Sequence, residues 1–491
     1  MTRPLPAAAI VLATLLTWSC AVGPDYRRPD AGAALPASYA ADPAAAGITA
    51  AAPGDSWWQA LDDPVLTTLI EAALAGSPDL AAAEAEVQQE RALARVAGAN
   101  FYPQATLGAS ADRNELSRNG ENLSLIPLRP PTTTFSDYRV GIDASWEIDL
   151  AGLTRRQVEA AVARSESSAE ARNDARAVVA AEVADAYADH REAVARLQRA
   201  ATSRDDLREI QRLTVLAAAA GDASDSDAHR AAADAAAAAA ALPPLEAQRQ
   251  SAIFRLTALT GRSRESVAAD LAAPRDLPAA PAAVPVGLPS DLLRRRPDVR
   301  RAERELAAAS ADVGSAVAAQ YPRFALVGNL GLDSVHSGEL TSAASRYWEL
   351  APQLSLPVFA GGRLRANAQA ARAGRDAALA RYRSSVLAAV ADTESALIRY
   401  AAATQRSAAL TDAARELSQQ ARLEHERTLA GDASTIESLA AARAAEDAAQ
   451  AETAAQAATL RDYVALAKAL GGGWQEPEAR ANPGGSPSAA P

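Results

Sequence analysis

The feature that most constrains this chain is an internal repeat. ANFYPQATLG at 99–108 returns as AAQYPRFALVG at 318–328, with Pro103 and Pro322 219 positions apart. LAGLTRRQVEAA from Leu150 returns as AGGRLRANAQAA from Ala360, setting Gly152 against Gly362 at 210 positions. The turn around Gly221 (LAAAAGDASDSD) matches the turn around Gly431 (RTLAGDASTIES), again 210 apart. The change in spacing is a Pro-rich insertion in the first copy, SLIPLRPPTTT at 124–134. Landmarks in one order with one local insertion mark a tandem duplication, so a single folding unit is used twice.

Within each copy the hydrophobic period changes. From about Pro64 the spacing of Leu66, Leu69, Ile70 and Leu74 is helical. After Pro103 it becomes two-fold, with Ala105, Leu107, Ala109 and Ala111 opposed to Gln104, Thr106, Gly108 and Ser110. The return segment alternates more clearly: Tyr138, Val140, Ile142, Ala144, Trp146, Ile148 and Leu150 on one side, Asp137, Arg139, Asp143, Ser145, Glu147 and Asp149 on the other. The second copy repeats this with Phe324, Leu326, Leu330 and Leu332, then Trp348, Leu350, Leu354 and Leu356. These predict four strands, at about 101–113, 135–150, 321–333 and 345–357, each with an apolar and a polar face. From Gly152 to Ala220 there is no proline and no second glycine, which predicts a helix of about 100 Å. Val183, Tyr187, Val194 and Leu197 lie on it at coiled-coil spacing, and 362–430 repeats its length. Gly221 and Gly431 end these helices, Ser224 and Ser434 are placed to cap returning ones, and Leu460, Val464 and Ala467 close the second return. Pro243 and Pro244 predict a kink or break in the first returning helix. The resulting division is a first repeat at 63–261, a Pro/Ala-rich linker at 262–286, a second repeat at 287–470 and a disordered tail at 471–491.

Two readings of the strands compete. A soluble sheet would pack its apolar face on the helices; a membrane barrel would turn that face to lipid and the other to water. The stretch 137–150, about 46 Å when extended, is long enough to cross a bilayer at a tilt. Ten of the 21 aromatic residues fall in the 90 residues of 101–150 and 320–359. Several of them, including Phe101, Tyr102, Trp146, Tyr321, Tyr347, Trp348 and Phe359, lie toward segment ends, where interfacial girdles need them. Both features favour the barrel. Four strands cannot close around water, so several copies would have to share one barrel.

Composition bounds the chemistry. Alanine is roughly a quarter of the 491 residues and aromatics are 4%, which suits long helices packed through small side chains rather than several globular cores. A net charge of −11 argues against a nucleic-acid partner. The single cysteine excludes a disulfide framework and a cysteine-based zinc site. His190, His229, His336 and His425 are far apart, have no metal-ligand spacing and read as isolated surface residues. No cofactor, metal site or catalytic constellation is expected, and the chain does not read as an enzyme. Arg3 followed by the apolar run 7–16 is a signal peptide, 1–19, too short to span. Cys20, directly after Ser19, reads as the acylated first residue of a bacterial lipoprotein whose segment 20–62 starts at a membrane surface, although Thr17 and Trp18 depart from the usual lipobox. Trp57 and Trp58 are expected to anchor this segment on the helices.

CAVGPDYRRP from Cys20, SWWQALDDPVLTTLIEAAL from Ser56, LLRRRPDVRRAE from Leu292 and LPVFAGGRLRA from Leu356 resemble the TolC-like outer-membrane efflux factors, in particular the NodT/OprM-like lipoproteins that serve resistance–nodulation–division (RND) pumps. The resemblance covers nearly the whole mature chain. It implies a mainly α fold with a membrane β-barrel portion: a duplicated helix–β-hairpin–long helix–helix unit whose homotrimer forms a 12-stranded β-barrel continuous with a periplasmic α-helical barrel. It further implies acylation at Cys20, an outer-membrane location, a periplasmic adaptor and an inner-membrane RND-type pump as partners, and passive export. Type I protein secretion uses the same architecture, and a pore-less periplasmic coiled-coil scaffold is the reading from another class.

A conduit needs a gate rather than a catalyst. Just past the helix-ending glycines lie Asp225 and Asp227 in the first copy and Glu437 in the second; Asp227 and Glu437 are each six residues beyond their glycine. Ringed by symmetry, such carboxylates would form a cation-favouring constriction. The resemblance carries the aperture role to Glu437, with Asp227 following by internal symmetry. Alternatively, an acid in a first helical turn simply stabilises the helix dipole. Ala440 stands where relatives often place a second acid. The tip turns, with Gly221, Asp222 and Ser224 and with Gly431, Asp432 and Ser434, resemble adaptor-contacting surfaces. Arg296, Pro297 and Asp298 are expected to start and pack a helix.

Overall fold

The computed structural model describes residues 21–30, 36, 38–39, 48–49, 51, 53–117, 133–281 and 283–475. Cys20, the signal segment, most of the Pro-rich insertion at 124–134 and the tail from 476 lie outside the described residues.

In chain order the elements are β1 (Ile48–Thr49), α1 (Pro64–Gly76), α2 (Pro78–Ala99), β2 (Gln104–Glu115), β3 (Thr134–Ile148), α3 (Leu153–Ala220), α4 (Asp225–Thr260) and α5 (Arg264–Leu271). Then follow β4 (Val284–Pro285), α6 (Leu292–Arg295), α7 (Pro297–Ala318), β5 (Arg323–Ser334), β6 (Arg346–Ser355), α8 (Arg363–Ala430) and α9 (Thr435–Ala469). The duplication is visible in helix lengths. Helices α2 and α7 are both 22 residues, α3 and α8 both 68, and α4 and α9 are 36 and 35.

The chain divides into two compact units. One comprises residues 1–29, 88–167 and 302–381 and holds the four long strands. They form a single antiparallel sheet in the order β2-β3-β5-β6. Directly paired residues share a face, and over most of the sheet the register keeps the two chemistries apart; Arg113, Glu115 and Arg346 fall on the apolar face at the hairpin ends of β2 and β6, and Val327 on the polar one. One face carries Leu107, Val140, Ile142, Trp146, Leu326, Leu330, Trp348, Leu350 and Leu354; the other carries Asp112, Asp137, Arg139, Asp143, Glu147, Arg323, Asn329, Asp333 and Glu349. The sheet is no lid on a core. Of all its residues only Gly141 is buried, and Leu330, Trp348 and Leu354 are 62%, 76% and 69% exposed.

The other unit comprises residues 30–87, 168–301 and 382–491. Its core is one cluster in which α1 buries Leu66, Leu69 and Ile70, α3 buries Val183 and Tyr187, and α9 buries Leu460, Val464 and Leu466. Of the seam expected on α3, Val183 and Tyr187 are buried, whereas Val194 and Leu197 are half-buried. Trp57 and Trp58 lie edge-on to each other at 5.7 Å within this core, and Trp57 meets Tyr463 at 6.0 Å. Asp63 caps α1, its carboxylate accepting from the N–H groups of Val65 and Leu66 at 2.8 and 3.1 Å, with Pro64 in the first turn.

Three sequence expectations need correction, and the stretch between the repeats is more ordered than its composition suggests. Helix α4 runs unbroken through Pro243 and Pro244; both are exposed, so the carbonyls they leave unpaired four residues earlier can reach water. The stretch read as a linker contains α5, capped by Ser263, and sends Val267, Leu271, Val284 and Val286 into the core, while β4 pairs in parallel with β1. Its Pro/Ala-rich composition conceals a short apolar stripe. The region read as tail stays packed as far as residue 475: the Trp474 indole donates to the Arg295 carbonyl at 2.8 Å. His190, expected at the surface, is 2% exposed.

Candidate functional site

The two helical tips are built alike. At the first, Gly221 adopts φ +86°, its N–H donates to the Ala218 carbonyl at 3.0 Å, and the N–H of Asp222 donates to that of Ala217 at 2.9 Å. At the second, Gly431 has φ +82°, and Gly431 and Asp432 donate to the carbonyls of Thr428 and Arg427 at 3.1 and 2.9 Å. This is the left-handed helix stop that glycine adopts without steric cost. Ser224 and Ser434 then cap the returning helices, each hydroxyl accepting from the backbone N–H three residues on, at 3.2 Å.

The gate candidates close those caps. The Glu437 carboxylate accepts from the backbone N–H and hydroxyl of Ser434 at 2.9 and 3.0 Å. Asp227 accepts from the same groups of Ser224 at 3.3 and 2.7 Å. Both turns are reciprocal capping boxes. The backbone and hydroxyl bonds from Ser434 lower the pKa of Glu437, and the hydroxyl and backbone bonds from Ser224 lower that of Asp227, so both carboxylates stay ionised at neutral pH. Asp225 is exposed in the first turn of α4 and takes no part in the box. Serines at the caps were legible in the sequence. The acid three residues on belongs to the same signal, since Ser-x-x-Asp/Glu is itself a capping pattern beside any gate or dipole role.

Arg296 is structural. Its guanidinium pairs with Asp298 at 2.7 Å and Asp392 at 3.2 Å and donates to the carbonyls of Ala389 and Ala469. A second buried network had no sequence signal. The Tyr187 hydroxyl donates to Asp63 at 2.6 Å and accepts from Arg191 Nε at 2.9 Å, and Arg191 also donates to the Ala273 carbonyl. His190 is surrounded by protein, and burial first, then Arg191 and Arg249, lower its pKa to about 4. Among the described residues no group of three or more His, Cys, Asp or Glu side chains is placed to hold a metal.

Ala21, the residue after Cys20, is fixed in place. It lies against Gly152, where a Cβ would come within 2.7 Å of it, and the N–H of Val22 donates to the Ala151 carbonyl. Asp25 pairs at 2.7 Å with Arg156, whose side chain is 5% exposed. The chain therefore enters its first unit at the point where β3 gives way to α3.

On the polar face of the sheet, six carboxylates (Asp112, Asp137, Asp143, Glu147, Asp333 and Glu349) face two guanidiniums. Arg139 pairs with Asp333 at 3.2 Å and Arg323 with Glu147 at 2.7 Å, so the face is acidic. A strongly two-faced sheet of long strands, with an exposed apolar side and long helices beginning where strands end, is the architecture of an outer-membrane channel protomer.

Residues 69–262 and 288–472 match the model of the family described as "Outer membrane efflux protein". The chain belongs to this family. It is 31% identical to the probable efflux pump outer membrane protein TtgC of Pseudomonas putida over 98% of both chains. It is 35% identical to the pyoverdine export outer membrane protein OpmQ of the same species, over 91% of this chain and 94% of that one. Among solved structures, the outer-membrane channel OprN superposes with a TM-score of 0.84 at 36% identity, covering 93% of this chain and all of OprN. The protein is thus an outer-membrane efflux channel component, and its relatives are channels rather than enzymes.

Proposed function

We propose that three copies of this chain close a twelve-stranded barrel through the outer membrane, and that the assembly passively exports what an inner-membrane pump and a periplasmic adaptor deliver. The observation that carries the reading is the exposed apolar face of a sheet whose outer strands, β2 and β6, each have one edge unpaired among the described residues. In hydrocarbon an unpaired edge costs several kcal/mol for each unsatisfied backbone group, so the strands must pair with further strands. Symmetric copies supply them. A pore-less scaffold leaves the apolar face without a partner.

Acylation at Cys20 fits this arrangement, because Ala21 is held at the strand-to-helix junction, the level at which acyl chains would enter the inner leaflet. The tips are the periplasmic end. There the ionised Glu437 and Asp227, with Asp225 beside the latter, would ring a narrow entrance and favour cations. The turns 221–224 and 431–434 would meet the adaptor through Asp222, Ser224, Asp432 and Ser434. In the isolated protomer both gate carboxylates are turned back on their caps, so opening would trade a cap bond for a contact with the adaptor.

Planar-bilayer recording on the purified protein tests this. Cation-preferring channels are expected, with a weaker preference for Glu437→Gln. Absence of any conductance rejects the channel. Unchanged selectivity and opening in Glu437→Gln rejects the gate assignment alone.

A further inference from the structure

One row across the sheet is unlike the others. Gly108 on β2 pairs with Gly141 on β3, Gly141 with Gly331 on β5, and Gly331 with Tyr347 on β6. Tyr347 is the only side chain longer than a hydrogen in this row of the polar face. Its ring lies down in the space the glycines leave. A Cβ at Gly331 would meet the Val140 carbonyl and Gly141 Cα of the neighbouring strand as well as Tyr347 Cε1 at 2.9 Å, and one at Gly141 would come 2.7 Å from the Tyr347 hydroxyl oxygen and 3.0 Å from the Leu330 carbonyl oxygen. A Cβ at Gly108 would meet nothing within 4 Å, so the ring ends short of that strand. From the neighbouring row the Arg139 guanidinium covers the ring at 5.6 Å while paired with Asp333. Tyr347 is thus held between two glycines below and a tethered cation beside it. Glycine within a strand weakens the sheet unless something packs over it, and an aromatic ring laid across it restores the lost contact.

We infer that Gly331 and Gly141, by letting Tyr347 lie flat beside Arg139, keep the bore of the barrel open at this row for bulky cargo. The inference rests on the polar face lining water, as proposed above. A tyrosine standing off the wall would project its full length into the lumen, whereas the reclining ring adds little more than its thickness to the wall. In a threefold assembly the row recurs three times, and raising all three rings would narrow one level of the passage from three sides. The position determines the size of what passes, not its charge.

Size-dependent thiol labelling from outside intact cells tests it. Ala351→Cys places a reporter on the same face, two residue pairs beyond Tyr347 on β6. Small and bulky maleimides are applied, and the ratio of their rates is read in each background. Gly141→Ala, whose methyl meets the tyrosine hydroxyl and, at 3.0 Å, the Leu330 carbonyl oxygen, is expected to lower the bulky-to-small ratio severalfold, and Tyr347→Ala added to it to raise the ratio back toward the parent's. Tyr347→Ala alone is expected to leave the ratio near that of the parent. Gly108→Tyr, at a position where a Cβ meets nothing within 4 Å, puts an unclamped ring in the same row and is expected to lower the ratio.

An unchanged ratio in an assembled Gly141→Ala protein overturns the inference, as does a rise in Tyr347→Ala comparable to the fall in Gly108→Tyr. The last comparison stands even if Gly141→Ala fails to assemble. Failure of the small reagent to label Ala351→Cys in the parent background would instead count against the water-lined face itself.

Discussion

The two copies of the repeat keep the same helix lengths and the same tip turns, yet they hold themselves together with different chemistry. On α3 the core-facing positions are Tyr187, His190 and Arg191; on α8, 210 residues later, they are Leu397, Tyr400 and Ala401. The first set is polar, with Tyr187 and, through it, Arg191 tied to Asp63, while the second is mostly apolar, with the Tyr400 hydroxyl donating to the Pro281 carbonyl at 3.2 Å. At the start of the 22-residue helices the balance reverses. Arg296, preceding Pro297, anchors copy two through four acceptor groups, whereas Ser77, preceding Pro78, is buried with its hydroxyl unpartnered. The tips differ as well: Arg427 and Thr428 reach back to the Asp432 and Ser434 carbonyls at 3.4 and 3.5 Å, where copy one has Ala217 and Ala218. Duplication preserved what geometry demands, namely lengths and left-handed glycines. It left free which residue satisfies each buried polar group.

This contrast can be broken experimentally. Arg296→Ala should destabilise the protein by about 3 kcal/mol, because it strands carboxylates and helix-end carbonyls that are partly shielded from water. Thermal unfolding followed by helical circular dichroism in detergent is the measurement. An effect no larger than that of a surface arginine would mean the web is ornamental.

Next in size is a pH effect centred on His190 of copy one. Because His190 is lowered from its ordinary 6.5 to about 4, the unfolded chain takes up a proton that the folded chain refuses between those values. Stability is therefore present above pH 6.5 and lost as pH falls toward 4, by about 2–3 kcal/mol. His190→Leu should flatten that slope. Asp185, raised to about 6 mainly by burial, has the opposite sign and costs stability as pH rises from about 4 to about 6, so Asp185→Asn separates the two. Tyr187→Phe, which leaves Asp63 and Arg191 without their shared hydroxyl, should cost about 2 kcal/mol.

Smaller and local are the caps. Ser434→Ala and Ser224→Ala should each cost about 1 kcal/mol, seen as faster amide exchange in the first turns of α9 and α4. Copy one should loosen more, since its tip lacks the Arg427 and Thr428 ties; equal loosening would show those ties add nothing. Smallest of all is Ser77→Ala, expected within about 0.5 kcal/mol of the parent because no hydrogen bond is lost. A large loss there would contradict the contrast with Arg296.

Much of this architecture is written in pattern. The repeat, the two-fold alternation of the strands and the proline-free run of α3 are periodic signals, and the elements follow them to within a few residues. The caps at Ser224 and Ser434 were legible for the same reason. What escaped was not periodic. Pro243 and Pro244 look like a break, but a helix exposed on that side tolerates two missing donors. The short helix Arg264–Leu271 hides in a segment whose prolines dominate its composition. His190 resembles any surface histidine until α3 meets its neighbours. The row Gly108–Gly141–Gly331–Tyr347 exists only once register is set, because its members are up to 239 residues apart in sequence. Pairwise chemistry across strands and helices needs the fold first.

The central claim is the assignment of the two sheet faces, and alternation along β3 tests it most directly. Single cysteines at Ile142, Asp143, Ala144 and Ser145, in the membrane-inserted protein, are exposed to a membrane-impermeant maleimide. The account predicts labelling at positions 143 and 145 and protection at 142 and 144. Uniform labelling, or the reverse alternation, would contradict it.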